Sequence, residues 1–249
     1  MDLGLLLGNT TLRVATFDET GTVAGEVVHV PWSAWDQGRR LRPLVETDLD
    51  VAIVASVRDD LLGRVEQVLP SRLLPVRVAR RDFPVPIGNP YERPAELGTD
   101  RLLNALAADQ RAGERGSIVV DFGTAISVSV VRGGVFQGGL IAAGAHAVLA
   151  GLRIATPKLP GVDTAHRGTF LANDSRAAMA TGVYWQIVGG VREILRGLRE
   201  ELGAPRPLIL ATGGAATVFS DDLPELDAVV SELTCEGLGL AWHAHRKAR

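Results

Sequence analysis

SIVVDFGTAISVS, at residues 117–129, contains two runs of strand-forming residues separated by a short turn. The first run leads up to Asp121 through three β-branched residues, and the second resumes at Ala125 after Gly123 and Thr124. Such runs on both sides of a glycine predict a β-hairpin. A carboxylate followed by Gly-Thr at a strand end presents oxygen ligands and bare N–H groups to a metal or a phosphate. A plain capped turn is the alternative interpretation.

The composition favours an α/β protein with a large core. Of 249 residues, 46 % are hydrophobic and only 5 % are aromatic, so Leu, Val and Ala must fill the interior. The net charge of −3, with both signs spread along the chain, predicts no nucleic-acid partner. A single cysteine, Cys235, excludes an internal disulfide and fits a reducing compartment. With no apolar run near the roughly 20 residues of a membrane span and no basic leader, we expect a cytoplasmic protein without membrane contact.

The order of the predicted elements occurs twice. Residues 3–30 predict three antiparallel strands, and residues 117–141 predict strand, turn, strand, turn and strand again. In each copy an apolar strand runs into a glycine with a threonine close behind. We therefore predict two domains, at residues 1–115 and 116–249.

The remaining elements follow from hydrophobic periodicity and from turn residues. Further strands are predicted at residues 50–57, 73–78 and 207–212, with a weaker one at 225–230. Helices are predicted at residues 59–69, 96–112, 173–199 and 235–247. Residues 32–46 have no clean period and predict loop and helix, whereas the Pro- and Gly-rich residues 82–94 predict a loop.

Three turns at predicted strand ends combine Gly with Thr, at residues 8–10, 123–124 and 212–214. Glycine lets backbone N–H groups approach an anion, and a threonine hydroxyl can donate to a phosphate oxygen. One such turn is usually only a turn, but three at corresponding points of a duplicated sequence predict phosphate binding. The sequence contains no Walker A loop, no G-x-G-x-x-G after a strand and no zinc or G-x-S-x-G motif.

A series of motifs then becomes recognisable: GNT at 8–10, YERPAELGTDRLLNA at 91–105, DFGTA at 121–125, GGLIAAG at 138–144, AMATG at 178–182 and TGG at 212–214. Their order resembles the type III pantothenate kinases, which belong to the acetate kinase/Hsp70/actin-like superfamily. The resemblance implies an α/β fold of duplicated ribonuclease-H-like domains, each with a mixed five-stranded sheet and helices. It implies ATP-dependent phosphorylation of pantothenate to 4'-phosphopantothenate, the first step of coenzyme A biosynthesis. It further implies a homodimer that needs Mg²⁺ and a monovalent cation, K⁺ or NH₄⁺.

The same resemblance implies a role for each matching residue. Asp100 corresponds to the catalytic base, and Asp121 to the carboxylate tied to cation binding. The substrate-binding residues are Tyr91, Gly98, Thr99, Arg101 and Ser175. The ATP- and phosphate-binding residues are Gly8, Asn9, Thr10, Gly123, Thr124, Gly213 and Gly214. Ser175 stands where the family usually has a Thr that reaches the substrate across the dimer, and the helix at 173–199 is the expected dimer helix.

One position departs sharply from the family pattern. Leu6 occupies the place of an Asp that usually helps to hold Mg²⁺ and phosphate, and leucine binds no metal. Arg13 stands where a Lys often follows the first turn, Ser129 where an acid is common and Ala143 where a Pro is usual. Two hypotheses follow: a working pantothenate kinase, or a kinase-like protein with weak or no catalysis that acts as a binding or regulatory protein. A kinase for another small acid or sugar is a more distant possibility.

Overall fold

The computed structural model describes residues 1–34, 49–68 and 74–249. The described part of the first half forms β1 (Asp2–Leu7), β2 (Thr11–Phe17), β3 (Val23–Pro31), β4 (Val51–Ser56), α1 (Asp59–Val68), β5 (Val76–Val78) and α2 (Thr99–Ala112). These strands make one sheet in the order β3-β2-β1-β4-β5. Because β1 pairs antiparallel with β2 and parallel with β4, the sheet is mixed.

The second half repeats this plan. It forms β6 (Ser117–Phe122), β7 (Ala125–Arg132), β8 (Val135–Ala143), α3 (Ala145–Ala155), α4 (Ser175–Leu202), β9 (Leu208–Thr212), α5 (Ala216–Phe219), β10 (Ala228–Val229) and α6 (Leu233–Lys247). Its sheet has the order β10-β9-β6-β7-β8. The predicted hairpin is confirmed, since β6 and β7 are neighbours joined by Gly123 and Thr124. Two five-stranded sheets of matching order confirm the predicted duplication.

The chain divides into two compact units, and neither of them is one continuous stretch of the sequence. The first unit is Met1–Arg111, Val131–Gln137 and Glu232–Arg249, and the second is Ala112–Val130 and Gly138–Ser231. The tip of the β7–β8 hairpin and the helix α6 therefore belong with the first sheet. The domain limits at residues 115 and 116 stay a prediction.

The first unit has an apolar core on both faces of its sheet. On β1, Leu3, Leu5 and Leu7 pack on one face, whereas Leu6 packs on the other with residues of α2 and α6. Strand β1 is buried along its whole length, as expected for the centre of a sheet covered on both faces. In the register of β1 and β2, Leu6 lies opposite Arg13.

Helix α6 approaches the rest of the first unit very closely. A Cβ at Gly237 would collide with the backbone of Leu103, and one at Gly239 would collide with the backbone of Gly21. The helix is also tied to β1 by polar contacts of Asp2, which is only 1 % exposed. Its Oδ2 accepts from Trp242 Nε1 at 2.8 Å and from Arg246 Nη1 at 3.1 Å.

The second unit is built around the long helix α4. Asp174 caps its start, since its Oδ1 accepts from the backbone N–H groups of residues 176 and 177 at 2.9 and 3.0 Å. Tyr184 of α4 is fully buried, stacks on Phe219 and donates to Asp222 Oδ2 at 2.6 Å. None of the helices among the described residues has the length and apolarity required to cross a membrane.

Most predicted elements are present with shifted ends. The helix predicted at 96–112 begins at Thr99, because residues 94–96 form a separate 3-10 turn before Gly98. The weak strand at 225–230 is only two residues long. Helix α3 was not predicted, although Ala145, Val148, Leu149 and Leu152 recur at helical spacing and pack on the core of the second unit. Residues 32–34 form a 3-10 turn, and the rest of the 32–46 prediction lies outside the described residues.

Candidate active site

The first of the turns predicted to bind phosphate, residues 8–10, connects β1 to β2 in the first unit. Gly8 N donates to the carbonyl oxygen of Thr11 at 3.1 Å, which closes the turn. Trp32 also holds the turn, because its Nε1 donates to the Gly8 carbonyl oxygen at 2.8 Å. Asn9 and Thr10 are exposed, and Arg58 Nη1 lies 3.5 Å from the Asn9 carbonyl oxygen. The turn therefore presents polar groups and a nearby cation to solvent.

The start of α2 holds the predicted base. Asp100 Oδ1 accepts from the backbone N–H of Arg101 at 2.8 Å, so the carboxylate bends back over the first turn of the helix. Gly98 makes this possible, since a Cβ there would lie 2.5 Å from Asp100 Oδ1. Thr99 is buried, at 8 % exposure. The Gly-Thr-Asp order thus places a carboxylate on the helix N-terminus without a competing side chain.

The environment of Asp100 favours its protonated form more than water does. Burial raises the pKa of the Asp100 carboxyl above its usual range. The N–H of Arg101 and the guanidinium charges of Arg101 and Arg13 act in the opposite direction and limit the shift in that pKa. A carboxyl with a raised pKa accepts a proton more readily than an exposed one.

Arg101 is a buried cation that contacts two aromatic side chains. It is 8 % exposed, and its Cζ lies 5.1 Å from the centre of the Phe136 ring, within cation–π range. Its Nη1 donates to the Tyr91 hydroxyl at 3.4 Å. Tyr91 in turn meets Phe136 edge to face, with ring centres 5.6 Å apart. Two side chains, of which Tyr91 was predicted as substrate-binding, therefore hold the Arg101 guanidinium in place.

A hydrogen-bonded line links β2, α6 and α2 beside the predicted base. Arg13 Nη2 donates to Thr234 Oγ1 at 3.1 Å, and Thr234 Oγ1 donates to Asn104 Oδ1 at 2.8 Å. Thr234 and Asn104 are each 1 % exposed. Asn104 follows Asp100 by four residues, so the two side chains share one face of α2.

Leu6 lies in packed apolar surroundings. Its side chain is 3 % exposed and packs in a cluster that includes Ile53, Leu103 and Leu238. The position where the family pattern has a metal-binding Asp is therefore part of the core in this chain.

The second of the turns predicted to bind phosphate, at Gly123 and Thr124, follows β6 in the second unit. Asp121 is paired with Thr212 in the parallel register of β6 and β9, so the two strand ends meet at one edge of the sheet. Gly123 N donates to the Ala125 carbonyl at 3.1 Å and closes the turn. Gly123 and Thr124 are exposed and Asp121 is partly exposed.

Gly213 brings the third turn against the second. Its φ is +91°, and a Cβ would collide with Asp121 Oδ1 and come within 2.7 Å of the Phe122 carbonyl oxygen. Ala215 N also donates to that carbonyl, at 3.1 Å. Asp121, the Gly123 turn and the Gly213 turn therefore form one group at the edge of the second sheet.

Replacing Gly213 with Ala tests this close approach. We expect a loss of at least about 2 kcal/mol in the free energy of unfolding, from left-handed backbone strain and the collision. The melting temperature should then fall by roughly 4–8 °C in a thermal scan. Gly214→Ala is the matched control, because a Cβ at Gly214 meets nothing within 4 Å. Equal melting temperatures for the two variants would contradict the described packing.

Ser175 is the first residue of α4 and is exposed. It lies next to the capping residue Asp174, which fixes the start of the helix.

The predicted site residues form two sets, one in each unit. The first unit holds Gly8, Asn9, Thr10, Tyr91, Gly98, Thr99, Asp100 and Arg101, and the second holds Asp121, Gly123, Thr124, Ser175, Gly213 and Gly214.

Sequence reasoning missed two residues beside the first set. Phe136 was not singled out, because nothing in the sequence of the hairpin tip shows that it packs on Tyr91 and Arg101. Thr234 lies 130 residues from its partner Asn104. The one usable signal for Thr234 was Asn104 itself. Its amide is on the buried side of the helix, and a buried amide needs a hydrogen-bonding partner.

Among residues 1–34, 49–68 and 74–249, no three His, Cys, Asp or Glu side chains cluster as a metal site would require. A cation at Asp121 would take its remaining ligands from water and phosphate oxygens, as Mg²⁺ commonly does. The single carboxylate at the Gly123 and Gly213 turns fits that kind of binding.

Comparison with known sequences gives consistent matches. The sequence model of the type III pantothenate kinase family matches residues 3–197. A type III pantothenate kinase from Rhodospirillum rubrum is 33 % identical over 257 residues, which cover 96 % of each protein. A type III pantothenate kinase from Dinoroseobacter shibae is 32 % identical over 249 residues, with the same coverage of both.

Comparison with solved structures shows the fold. A ROK family glucokinase from Streptomyces griseus, solved with glucose and AMPPNP, superposes with a TM-score of 0.50 at 15 % identity, covering 99 % of both chains. At this low identity the likeness concerns architecture alone. It confirms the duplicated ribonuclease-H-like fold with a mixed five-stranded sheet in each half.

Proposed function

The chain belongs to the type III pantothenate kinase family, and from this premise we propose that it transfers the γ-phosphoryl group of ATP to the hydroxyl group of pantothenate. The observation that carries the proposal is the start of α2, where a carboxylate of raised pKa adjoins a buried guanidinium. The first can accept a proton and the second can bind a carboxylate. Pantothenate needs both functions, because it carries a reacting hydroxyl and a carboxylate.

In this proposal Asp100 is the general base. It accepts the proton of the pantothenate hydroxyl while that oxygen forms its bond to the γ-phosphorus, and the bond between that phosphorus and the ADP oxygen breaks. Phosphoryl transfer depends mainly on position and charge, so no covalent nucleophile is needed. Gly98 leaves space for the Asp100 carboxylate, and Thr99 is part of the same substrate-binding turn.

Arg101 holds the carboxylate of pantothenate. Its planar fork suits bidentate binding of a carboxylate, and burial strengthens the attraction. The cation–π contact with Phe136 and the hydrogen bond with Tyr91 restrict the guanidinium to one orientation before substrate arrives. Preorganisation of this kind lowers the entropic cost of positioning the hydroxyl.

The phosphate groups of ATP bind at the glycine-containing turns, namely Gly8, Asn9 and Thr10, Gly123 and Thr124, and Gly213 and Gly214. Asp121 would hold a cation, Mg²⁺ together with K⁺ or NH₄⁺ being the cations we propose. When bound, such cations neutralise the charge of the transferred group. The exposed backbone of these turns is compatible with anion binding.

We also propose a homodimer in which Ser175 contacts the substrate bound to the partner subunit. The second unit carries large exposed apolar side chains: Ile141 66 %, Ile154 82 %, Phe170 78 % and Leu171 94 %. Phe170 stacks on Trp185 of α4, with ring centres 4.9 Å apart, which joins this surface to the predicted dimer helix. Sedimentation velocity should give twice the chain mass, whereas a monomer at micromolar concentration would reject this arrangement.

The proposed function is tested by incubating the purified protein with ATP, Mg²⁺, K⁺ and pantothenate, and by measuring ADP and phosphopantothenate. Pantothenol, which keeps the hydroxyl but lacks the carboxylate, is the matched control substrate. We expect its kcat/KM to be lower by at least about a hundredfold, because the buried guanidinium would have no substrate carboxylate to bind. Replacing K⁺ with Na⁺ should also lower turnover. ADP formation that does not depend on pantothenate would reject the proposal.

The alternative of a binding protein without catalysis receives no support from the comparisons, whose near full-length relatives are named as kinases. Leu6 removes one ligand that the family pattern has at this position, but Asp100, Arg101 and Asp121 match that pattern. Production of 4'-phosphopantothenate would place the protein at the first step of coenzyme A biosynthesis.

A further inference from the structure

We propose that Arg13 is a positioning residue for this reaction, held by Thr234 and Asn104 so that its guanidinium charge acts on the Asp100 carboxylate. The inference rests on the proposed function in one respect, the assignment of Asp100 as the base. It adds a role for a hydrogen-bonded line that spans three elements of the first unit.

The geometry fixes the Arg13 side chain at its far end. Arg13 Nη2 donates to Thr234 Oγ1 at 3.1 Å, and that hydroxyl donates its only proton to Asn104 Oδ1 at 2.8 Å. A hydroxyl has one donor and two acceptor positions, so a Thr234 proton directed at Asn104 leaves a lone pair for Arg13. Thr234 and Asn104 are almost completely buried, so water does not compete for these bonds.

The cross-strand neighbour of Arg13 carries no charge. Leu6 lies opposite Arg13 in the β1–β2 register. A carboxylate at that position would form a cross-strand ion pair with the guanidinium. With leucine there, no carboxylate at position 6 draws the guanidinium across the strands, and it donates to Thr234 beside Asn104 of α2 instead. The departure from the family pattern at position 6 and the role of Arg13 are thus two parts of one arrangement.

Other charged and titratable groups of the described residues lie close to Asp100 or beside Thr234 on α6. Arg101 acts on Asp100 from the same helix, and Arg13 acts on it from β2. On the side of α6, burial raises the pKa of the Cys235 thiol to about 12, so it stays protonated. Glu232 pairs with His29 at 2.9 Å, and Glu236 pairs with Arg111 at 2.6 Å.

The chemical consequence concerns the protonation of the base. A general base must be ionised to accept a proton, and burial works against ionisation of Asp100. A fixed positive charge opposes this effect. Removing the charge of Arg13 should therefore raise the pKa of Asp100 and move the acidic limb of the rate profile to higher pH.

The test is a titration of Asp carboxyl carbons by ¹³C NMR in protein labelled at Asp Cγ, with the Asp100 signal assigned by its loss in Asp100→Asn. We expect Arg13→Gln to raise the midpoint for Asp100 by roughly one pH unit, and Arg13→Lys to raise it by less. Arg77→Gln removes an equal charge from β5 and should leave the midpoint unchanged. The acidic limb of kcat/KM for pantothenate should move together with the NMR midpoint.

Thr234 gives a second test that removes no charge. Thr234→Val keeps the shape but lacks the hydroxyl, so the midpoint should move in the same direction as in Arg13→Gln, by a smaller amount. Thr234→Ser keeps the hydroxyl and should retain the wild-type midpoint. This pair decides the question if Arg13→Gln does not fold.

Identical Asp100 titrations in wild type, Arg13→Gln and Thr234→Val would overturn the inference. The NMR measurement needs no turnover, so it separates this inference from the proposed function. A protein that makes no phosphopantothenate, but whose Asp100 midpoint still moves in Arg13→Gln, rejects the proposed function and supports the role of Arg13.

Discussion

Asp100→Asn is expected to lower kcat for pantothenate phosphorylation by about a thousandfold, the loss typical of removing a general base. The amide has nearly the shape of the carboxylate but cannot accept the proton of the attacking hydroxyl. Because Arg101 is unchanged, pantothenate binding measured by calorimetry should change little. A rapid-quench or coupled ADP assay on the purified variant measures the effect on kcat.

The same variant is expected to be at least as stable as wild type. Burial raises the pKa of Asp100 in the folded protein, so ionisation is less favourable there than in the unfolded chain. The contribution of Asp100 to stability is therefore greatest at low pH. It is lost as the pH rises from the pKa that Asp100 has in the unfolded chain to the higher pKa that it has in the folded protein. At pH 7.5 the melting temperature of Asp100→Asn should equal or exceed that of wild type, and this advantage should shrink on acidification.

Asp109→Asn is the matched control, since Asp109 lies on the same helix and accepts from Gly134 N at 3.1 Å through an oxygen that Asn also has. It should retain wild-type turnover. A thousandfold loss in both variants, or in neither, would contradict the assignment of the base.

Leu6→Asp is expected to destabilise the protein by about 3 kcal/mol, which corresponds to a fall of roughly 6–12 °C in melting temperature. Its side chain would replace a leucine that is 3 % exposed and packed against apolar residues. Arg13 lies opposite in the strand register and would offset part of the cost of burying the charge. Differential scanning calorimetry at neutral pH measures the change.

The pH dependence of the stability of Leu6→Asp separates the effect of the introduced charge from the effect of the changed side-chain shape. Burial would raise the pKa of the introduced carboxyl, so its destabilisation should diminish as the pH falls and the group becomes protonated. Leu6→Asn is the control, because it has a similar shape and polarity but no titration. A Leu6→Asp protein as stable as wild type at pH 7.5 would show that the cluster around Leu6 does not exclude charge.

The sequence allowed the sheet of the second half to be predicted, because β-branched runs surround the Gly123 turn and locate β6 and β7. The candidate site residues from Tyr91 to Arg101 could also be predicted together, since they are close together in sequence. Phe136 and Thr234 could not be found this way. Their roles depend on a hairpin tip and a last helix that join the first unit from distant parts of the chain.

The Leu6 position shows a second limit of sequence reasoning. Its apolar neighbours on β1 made it look like a strand residue, and the family pattern made it look like a lost metal ligand. Only the alternation of faces on β1, with Leu6 packed against α2 and α6, shows what a carboxylate there would meet.

Because α6 completes the core of the first unit, a ribosome must make almost the entire chain before that unit can assume its final form. Strand β1 is synthesised first, yet the buried carboxylate of Asp2 meets Trp242 and Arg246 only after they emerge. The segments of the second unit all lie between residues 112 and 231, so this unit does not need α6 in order to fold. During translation the later-encoded unit can therefore fold ahead of the earlier one.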